Sequence, residues 1–398
     1  MENDSLLSDN AVQRMLADFK PGDIVNAEPL EQQLLRIDDL PGVAIQTRLG
    51  AGALPGTADL VVIAQPQARV SGNIGIDNQG NLSTGKNRVN ARLAVVSPFG
   101  RGDDFALNIL YSDEDQIFYQ ASYNFPMAAS YSLGMTASRM DYQLAGDFAD
   151  LEAAGTADTL GLNLRYNWLR SRLSNLRVDF AVDNRVLNDS LGNGTTTTEK
   201  GGLDFSVALS GDRRDELGAG GVSVFSTRLV HGDVRLEEGT FAPETPKGSF
   251  NKLSLSALRL QNLSERSSLY VALQAQFADV NLDSSQKMMI GGAQGVRAYP
   301  LGEGSADQGA LLNLELRYRL TDTMQIKLIG DAAYADLIYE PFAPGDNYRV
   351  LSGVGLGLDW QSAAGLRFSI VAAKRSGEAP ISDDEDSARV WASAQWLF

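Results

Sequence analysis

The chain has 398 residues, 43% of them hydrophobic, with 39 Gly, one His, no Cys and a formal net charge of −16. Without cysteine there is neither a disulfide framework nor a thiolate metal site, and a chain this acidic lacks the basic stripe with which a nucleic-acid binder replaces counterions. The length allows two or three ordinary domains or one very large one. The longest uncharged stretch, residues 116–138, is broken by Asn, Gln, Ser and Pro126, so no transmembrane helix is expected there.

Met1 is followed by Glu2 and Asp4, not by a basic and then an apolar region, so no secretory signal is visible. On that basis alone the chain reads as soluble and cytoplasmic. The strand pattern further on overturns this reading, and leads to the expectation that an N-terminal part of the natural protein precedes residue 1.

Residues 1–66 read as a small α/β domain. Val12, Met15, Leu16 and Phe19 follow the spacing of one buried helix face, with Ser8 or Asp9 as its cap and "KPGD" at 20–23 as its end. Leu30, Leu34 and Ile37 repeat that spacing, and "LPG" at 40–42 ends the second helix. "VAIQTRL" and "ADLVVIA" follow as two strands around the turn "GAGALPGT". The predicted order is helix, helix, strand, strand, which fits any small α/β module.

From about Ala68 a period of two takes over. "ARVSGNIGIDN" sets Val70, Ile74 and Ile76 on one face against Arg69, Ser71, Asn73 and Asp77 on the other. "ALLNLELRYRL" sets Leu312, Leu314, Leu316, Tyr318 and Leu320 against Asn313, Glu315, Arg317 and Arg319. "SLYVALQAQF" and "RVWASAQWLF" repeat the scheme. A soluble sandwich buries the apolar face; a transmembrane barrel turns it outward, with strands of about 9 to 11 residues. Periodicity does not separate the two. Aromatics near strand ends (Tyr119, Tyr123, Phe125, Trp360, Trp396, Phe398) suit an interfacial girdle. A last strand ending in Phe398 suits bacterial outer-membrane barrels, whose terminal strand is read by the assembly machinery.

Sixteen candidate strands centre near residues 73, 92, 108, 121, 134, 161, 181, 206, 225, 256, 272, 315, 329, 355, 369 and 393. The even number and the alternation of short and long connections match an outer-membrane barrel. The longest connection, 278–309, carries "IGGAQGVRAYPLGEG" at 290–304. His231 reads as an ordinary residue at the edge of a polar loop. Asp103 and Asp104 read as turn residues, and the acidic runs at 112–116 and 382–387 as solvated loops without the ordered spacing of a calcium loop. "GIDNQGNLSTG" and "GLGLDWQSAAG" are Gly-rich, but neither opens a helix in a βαβ unit, so they read as barrel turns and not as phosphate loops.

These features together resemble the two-partner secretion transporters of the outer membrane, the TpsB proteins of the haemolysin secretion/activation type, within the superfamily of POTRA-barrel translocases and insertases. The resemblance covers nearly the whole chain. A strand followed by D-N-x-G…T-G-x-x-R is matched by Asp77, Asn78, Gly80, Thr84, Gly85 and Arg88. The family's loop motif of valine, arginine, glycine and tyrosine is matched by Val296, Arg297, Ala298 and Tyr299, after Gly291 and Gly292. "IGDAAYADL" supplies the barrel-wall aspartate, Asp331. Two positions depart from the pattern: Ala298 stands for the usual glycine, and Ala333 stands where a glycine often follows the aspartate. A positive φ at Ala298 would be more costly than at glycine.

The resemblance implies an all-β transmembrane barrel at 67–398 of about 16 antiparallel strands, after a POTRA domain at 1–66. That domain is expected to be the second of its kind, truncated at its start, with its first strand missing. It implies that the 278–309 loop folds into the lumen with Arg297 forked onto Asp331, and that Trp396 and Phe398 form the assembly signal. It implies export of a large unfolded β-helical protein, with that secreted TpsA-type protein, outer-membrane lipid and the barrel assembly machinery as partners. No nucleic acid, cofactor, metal or catalytic residue is implied, and the chain is expected as a monomer. An insertase of the same superfamily, a passive porin or adhesin barrel, and a soluble β-sandwich enzyme remain as alternatives.

Overall fold

The computed structural model describes residues 2–15, 22, 24, 26–239, 247–382 and 387–398. The N-terminal part runs β1 (Glu2–Asn3), α1 (Asp9–Met15), α2 (Ala27–Asp38), β2 (Val43–Ala51) and β3 (Ala58–Pro66), with the three strands ordered β1-β3-β2. The first strand, read as missing from the sequence, is present as a two-residue segment parallel to β3. Two residues are too short to show a period. Ser8 caps α1 through Oγ to the Ala11 N–H at 3.3 Å. Val12, Met15 and Ile37 close a core with Leu7, Leu40, Val43 and Ala64. Leu16, Phe19 and the acidic residues 383–386 lie outside the described residues, as does most of the "KPGD" break.

The remaining chain is one antiparallel meander. Its strands are β4 (Val70–Asp77), β5 (Arg88–Val96), β6 (Asp104–Ser112), β7 (Ile117–Ala128), β8 (Tyr131–Gln143), β9 (Ala154–Arg170), β10 (Ser174–Leu191), β11 (Thr196–Asp215), β12 (Gly221–Glu238), β13 (Gly248–Asn262) and β14 (Ser267–Ala278). After two short strands in the long connection, β15 (Met288–Met289) and β16 (Ser305–Ala306), it resumes with β17 (Gln308–Arg319), β18 (Met324–Asp336), β19 (Tyr348–Gln361), β20 (Leu366–Arg375) and β21 (Ala388–Leu397). Sixteen strands, β4–β14 and β17–β21, close into a barrel in which β21 pairs with β4. Every predicted strand centre falls inside one of them. His231 lies within β12, not at a loop edge, its Nδ1 2.9 Å from Asn251 Oδ1. Asp104 opens β6, and only Asp103 belongs to the turn before it.

The apolar face points outward. Val70, Ile74, Ile76, Leu314, Leu316 and Tyr318 are all exposed, while Asn313, Glu315 and Asp331 on the opposite parity are buried. A soluble sandwich would show the reverse. On β9 the outward positions run Leu160, Leu162, Leu164, Tyr166 and Trp168, about 26 Å along the strand. That is enough to cross a hydrocarbon layer at a tilt. Above this band the outward face turns ionic, with Arg139 bridging Asp141 and Asp158 at 3.0 and 3.1 Å. Strands β9 to β12 continue to 17–20 residues, longer than the roughly ten expected, because they extend past the apolar band. Among the described residues no helix is long and apolar enough to cross a membrane.

Candidate functional site

The connection between β14 and β17 lies across the barrel lumen. Its tip is a knot tied by its own backbone. The Gly291 N–H donates to Glu303 O at 3.0 Å, the Gly292 N–H to Tyr299 O at 3.1 Å and the Val296 N–H to Ile290 O at 2.7 Å. Ile290, Val296, Ala298 and Tyr299 are buried in a cluster with the wall residues Leu311, Ala333, Ala335 and Leu351. The knot therefore seats on an apolar patch of the inner wall.

Register decides what lies beneath it. Asn313 on β17, Asp331 on β18 and Gly353 on β19 form one row of neighbours. Leu311, Ala333 and Leu351 form the next lumen-facing row toward the cell exterior. Arg297 meets the polar row. Its Nη2 lies 2.7 Å from Asp331 Oδ1, its Nε 2.9 Å from Oδ2, and its own N–H donates to Oδ2 at 3.0 Å. Arg297 Nη1 also pairs with Glu315, which takes a second cation from Arg317 at 2.6 Å. Asn313 Nδ2 donates to Asp331 Oδ1 at 2.8 Å and to Gly295 O at 2.9 Å. Trp391 Nε1, from β21, donates to Arg297 O at 2.7 Å. Both carboxylates are thus balanced by two guanidinium groups, as burial of charge requires.

Ala298 is absent from the residues with positive φ, so the departure from glycine carries no backbone strain. Its methyl group has a counterpart in the wall: a Cβ built on Gly353 would stand 2.6 Å from Ala298 Cβ. The missing side chain is on the wall, not in the loop. Ala333 likewise packs in the buried cluster. Tyr299 is fully buried and its hydroxyl donates to Glu378 O at 2.8 Å.

A second set of contacts holds the base of the loop to the far wall. Lys200 on β11 lies 3.0 Å from Asp283 Oδ2, and Lys252 on β13 donates to Gln286 Oε1 at 2.7 Å. Asp204 accepts from Gln286 at 3.0 Å and from Arg185 at 2.9 and 3.0 Å. Burial alone would raise the Asp283 carboxyl, but Lys200 and the Ser285 N–H outweigh it and hold it below its ordinary value. On the return limb Asp307, fully buried, pairs with Lys287 at 3.0 Å.

The strand-turn motif sits at the barrel seam. Asp77 and Arg88 face each other across β4 and β5 at 2.8 Å. Asn78 extends the seam past the Asp77–Ser393 pair: its N–H donates to Ala392 O at 3.3 Å, its Nδ2 donates to Val390 O at 2.9 Å and its Oδ1 accepts from the Ala392 N–H at 2.7 Å. Gly85 has φ +106°, and the Gly80 N–H donates to Lys86 O at 3.0 Å, folding the turn back on itself. Thr84 O accepts from Ser112 Oγ at 2.6 Å. Within this turn Asn81 reaches the lumen loop, donating to Leu301 O at 3.0 Å. At the other end of the seam Phe398 exchanges two backbone hydrogen bonds with Gly72, and its ring packs on Trp396 with centroids 5.3 Å apart.

Sequence reasoning singled out Arg297 and Asp331 but not Glu315 as their partner, nor Asn313, Trp391, Glu303 or Arg349. Trp391 carried a signal: it is an aromatic on the parity of Arg389 and Ser393, the polar face of its strand. Among the described residues no cluster of His, Asp or Glu could hold a metal ion.

A closed sixteen-stranded barrel with its apolar face outward and a loop fastened across its lumen defines an outer-membrane β-barrel protein. The chain belongs to the haemolysin secretion/activation family (ShlB/FhaC/HecB), whose model matches residues 56–358. It is similar to the heme/hemopexin transporter protein HuxB of Haemophilus influenzae, 29% identical over 84% of this chain and 60% of the relative. It is also similar to the outer membrane transporter CdiB of Dickeya dadantii, 24% identical over 82% of this chain and 60% of the relative. The chain thus spans about 60% of the length of these curated relatives. Among solved structures, CdiB from Escherichia coli matches with a TM-score of 0.82 at 21% identity, over 98% of this chain and 74% of that one. BamA from Haemophilus ducreyi matches with a TM-score of 0.64 at 13% identity, over 100% of this chain and 83% of that one. These likenesses support the same barrel fold and an outer-membrane location.

Proposed function

We propose that this chain is the barrel and adjoining periplasmic domain of a two-partner secretion transporter. It exports a large secreted protein of the TpsA type, unfolded, from the periplasm to the cell surface. The observation that carries the reading is the buried Arg297–Asp331–Glu315 cluster, which holds a self-knotted loop across the lumen. Such a fastening suits a channel that seals at rest and yields to a passing chain. The polar lumen face lets a hydrated polypeptide pass, and folding outside the cell supplies a drive that needs no nucleotide.

In this reading residues 1–66 are a POTRA domain. Its sheet order leaves β2 at the edge, where an extended segment of the cargo adds as a further strand. Lipid covers the outer band, and Trp396 and Phe398 form the signal read by the barrel assembly machinery on the way to the membrane. The working unit is a monomer without cofactor.

Arg297→Ala leaves two buried carboxylates short of a cation, a loss of about 3–5 kcal/mol in the seated loop. Export of the partner protein is expected to fall by about tenfold or more, while the barrel still assembles and keeps its heat-modifiable mobility on gels. Arg297→Lys restores charge but not the fork, and recovers export only in part. Undiminished secretion from the Arg297→Ala strain would remove the cluster from the export mechanism.

A further inference from the structure

The knot has a second buried ionic contact, on the side away from Asp331. Glu303 is fully buried, and its carboxylate is saturated. One oxygen accepts from Arg349 Nη2 at 2.6 Å. The other accepts from the Ile381 N–H at 3.0 Å, the Ser382 N–H at 3.1 Å and Ser382 Oγ at 2.7 Å. Arg349 also reaches Glu378 Oε2 at 2.8 Å and Ala379 O at 2.7 Å. The lumen loop is therefore bonded to the β20–β21 connection, which lies on the face of the barrel opposite the N-terminal domain.

Glu303 and Arg297 belong to one rigid body, because the Gly291 N–H closes the knot on Glu303 O. Tyr299, two residues from Arg297, adds its own bond to the same surface segment through Glu378 O. The knot cannot leave Asp331 while Glu303 stays on Ser382 unless the surface segment travels with it. We propose that Glu303 is a positioning residue that couples the lumen loop to the surface segment 377–382, so that unseating the loop and freeing the outer mouth are one event. Breaking either contact loosens both, as thermodynamic linkage requires of coupled sites. This inference rests on the transporter reading for its purpose, but not for its test.

The chain has no cysteine, so single spin labels can be placed without background. Gln294→Cys labels an exposed position of the knot, and Ile381→Cys labels the surface segment through a largely exposed side chain. Each is reconstituted in phospholipid vesicles as the 398-residue chain, with no cargo present. In the parent chain both labels are expected to give immobile spectra. Glu303→Gln and Arg297→Ala are each expected to raise the mobile fraction at both sites. If Glu303→Gln frees position 381 alone, or Arg297→Ala frees position 294 alone, the coupling is overturned. Should Glu303→Gln fail to assemble, Ser382→Ala removes one bond of the set from outside the lumen and is expected to produce a smaller rise at both sites; a rise at 381 alone overturns the proposal equally. Coupled labels with normal export from Arg297→Ala would leave the device standing and remove the export reading, while uncoupled labels with lost export would do the reverse.

Discussion

Arg297 brings one positive charge to a site that already holds two carboxylates, and Arg317 supplies the second. The cluster is neutral as a whole, so its strength comes from geometry. The fork onto Asp331 fixes the direction of the arginine, and Asn313 and Trp391 fix what remains of the carboxylate and the backbone. Beside it, the fit of Ala298 against Gly353 turns on a single missing methyl group. Gly353→Ala would place two Cβ atoms at 2.6 Å, and Gly353 is absent from the positive-φ glycines, so the backbone itself tolerates alanine. Overpacking of this kind costs about 1–3 kcal/mol. Gly353→Ala is therefore expected to lift the knot and raise the open conductance of the barrel in planar bilayers. Ala298→Gly in the same chain is expected to return the closed state. If the double variant conducts like Gly353→Ala alone, the contact does not seat the loop.

At the scale of the strand, the weak element is the seam. β21 and β4 share five backbone partners, Ser393↔Asp77 to Leu397↔Asn73, against eighteen between β10 and β11. Asn78 lengthens the seam with a side chain that stands in for a strand residue, and Phe398 pins the opposite end. Asn78→Ala deletes both side-chain bonds, roughly 1–3 kcal/mol if the Val390 and Ala392 groups stay dry. Faster hydrogen exchange at the Ala392 amide and a lower gel-shift temperature are the expected results; unchanged exchange there would mean that the backbone pairs alone hold the seam. The strands themselves were legible in the sequence because lipid outside and water inside impose the same alternation on each wall strand, as Leu314 and Glu315 illustrate. Strand ends were not legible where the strand outruns the bilayer. At Asp158 the outward face turns polar and the alternation in hydropathy stops. Neither was the company of Arg297. Asn313 and Glu315 come from β17, Gly353 from β19 and Trp391 from β21, and only register, set by the turns, places them around the Arg297 knot.

In the whole molecule the N-terminal domain meets the barrel at the ends of β5 and β9. The contact combines ion pairs, backbone hydrogen bonds and apolar packing, with Ala129 against the core of the small domain. Arg170 forks onto Asp39 at 2.5 and 2.8 Å, Arg172 pairs with Glu31 at 2.6 Å, and the Ser8 N–H donates to Gly100 O at 2.8 Å. An apolar contact adds to this, since a Cβ on Gly102 would stand 3.3 Å from Leu40 and 3.4 Å from Leu7. Partly exposed ion pairs are each worth up to about 1 kcal/mol, and bidentate geometry puts Arg170–Asp39 at the upper end. Interfaces of this type leave domains free to tilt, and under the proposed export role a contact that orients without locking suits a domain that hands a chain to the pore. Asp39→Ala is therefore expected to broaden the distance distribution between spin labels at Leu54 and Asp322 without lowering the thermal stability of the barrel. Both positions are exposed, and each lies in a turn on a different body. The exchange Asp39→Arg with Arg170→Asp is expected to narrow the distribution again. A width that ignores Asp39→Ala would show that the Arg170–Asp39 fork does not set the docking angle.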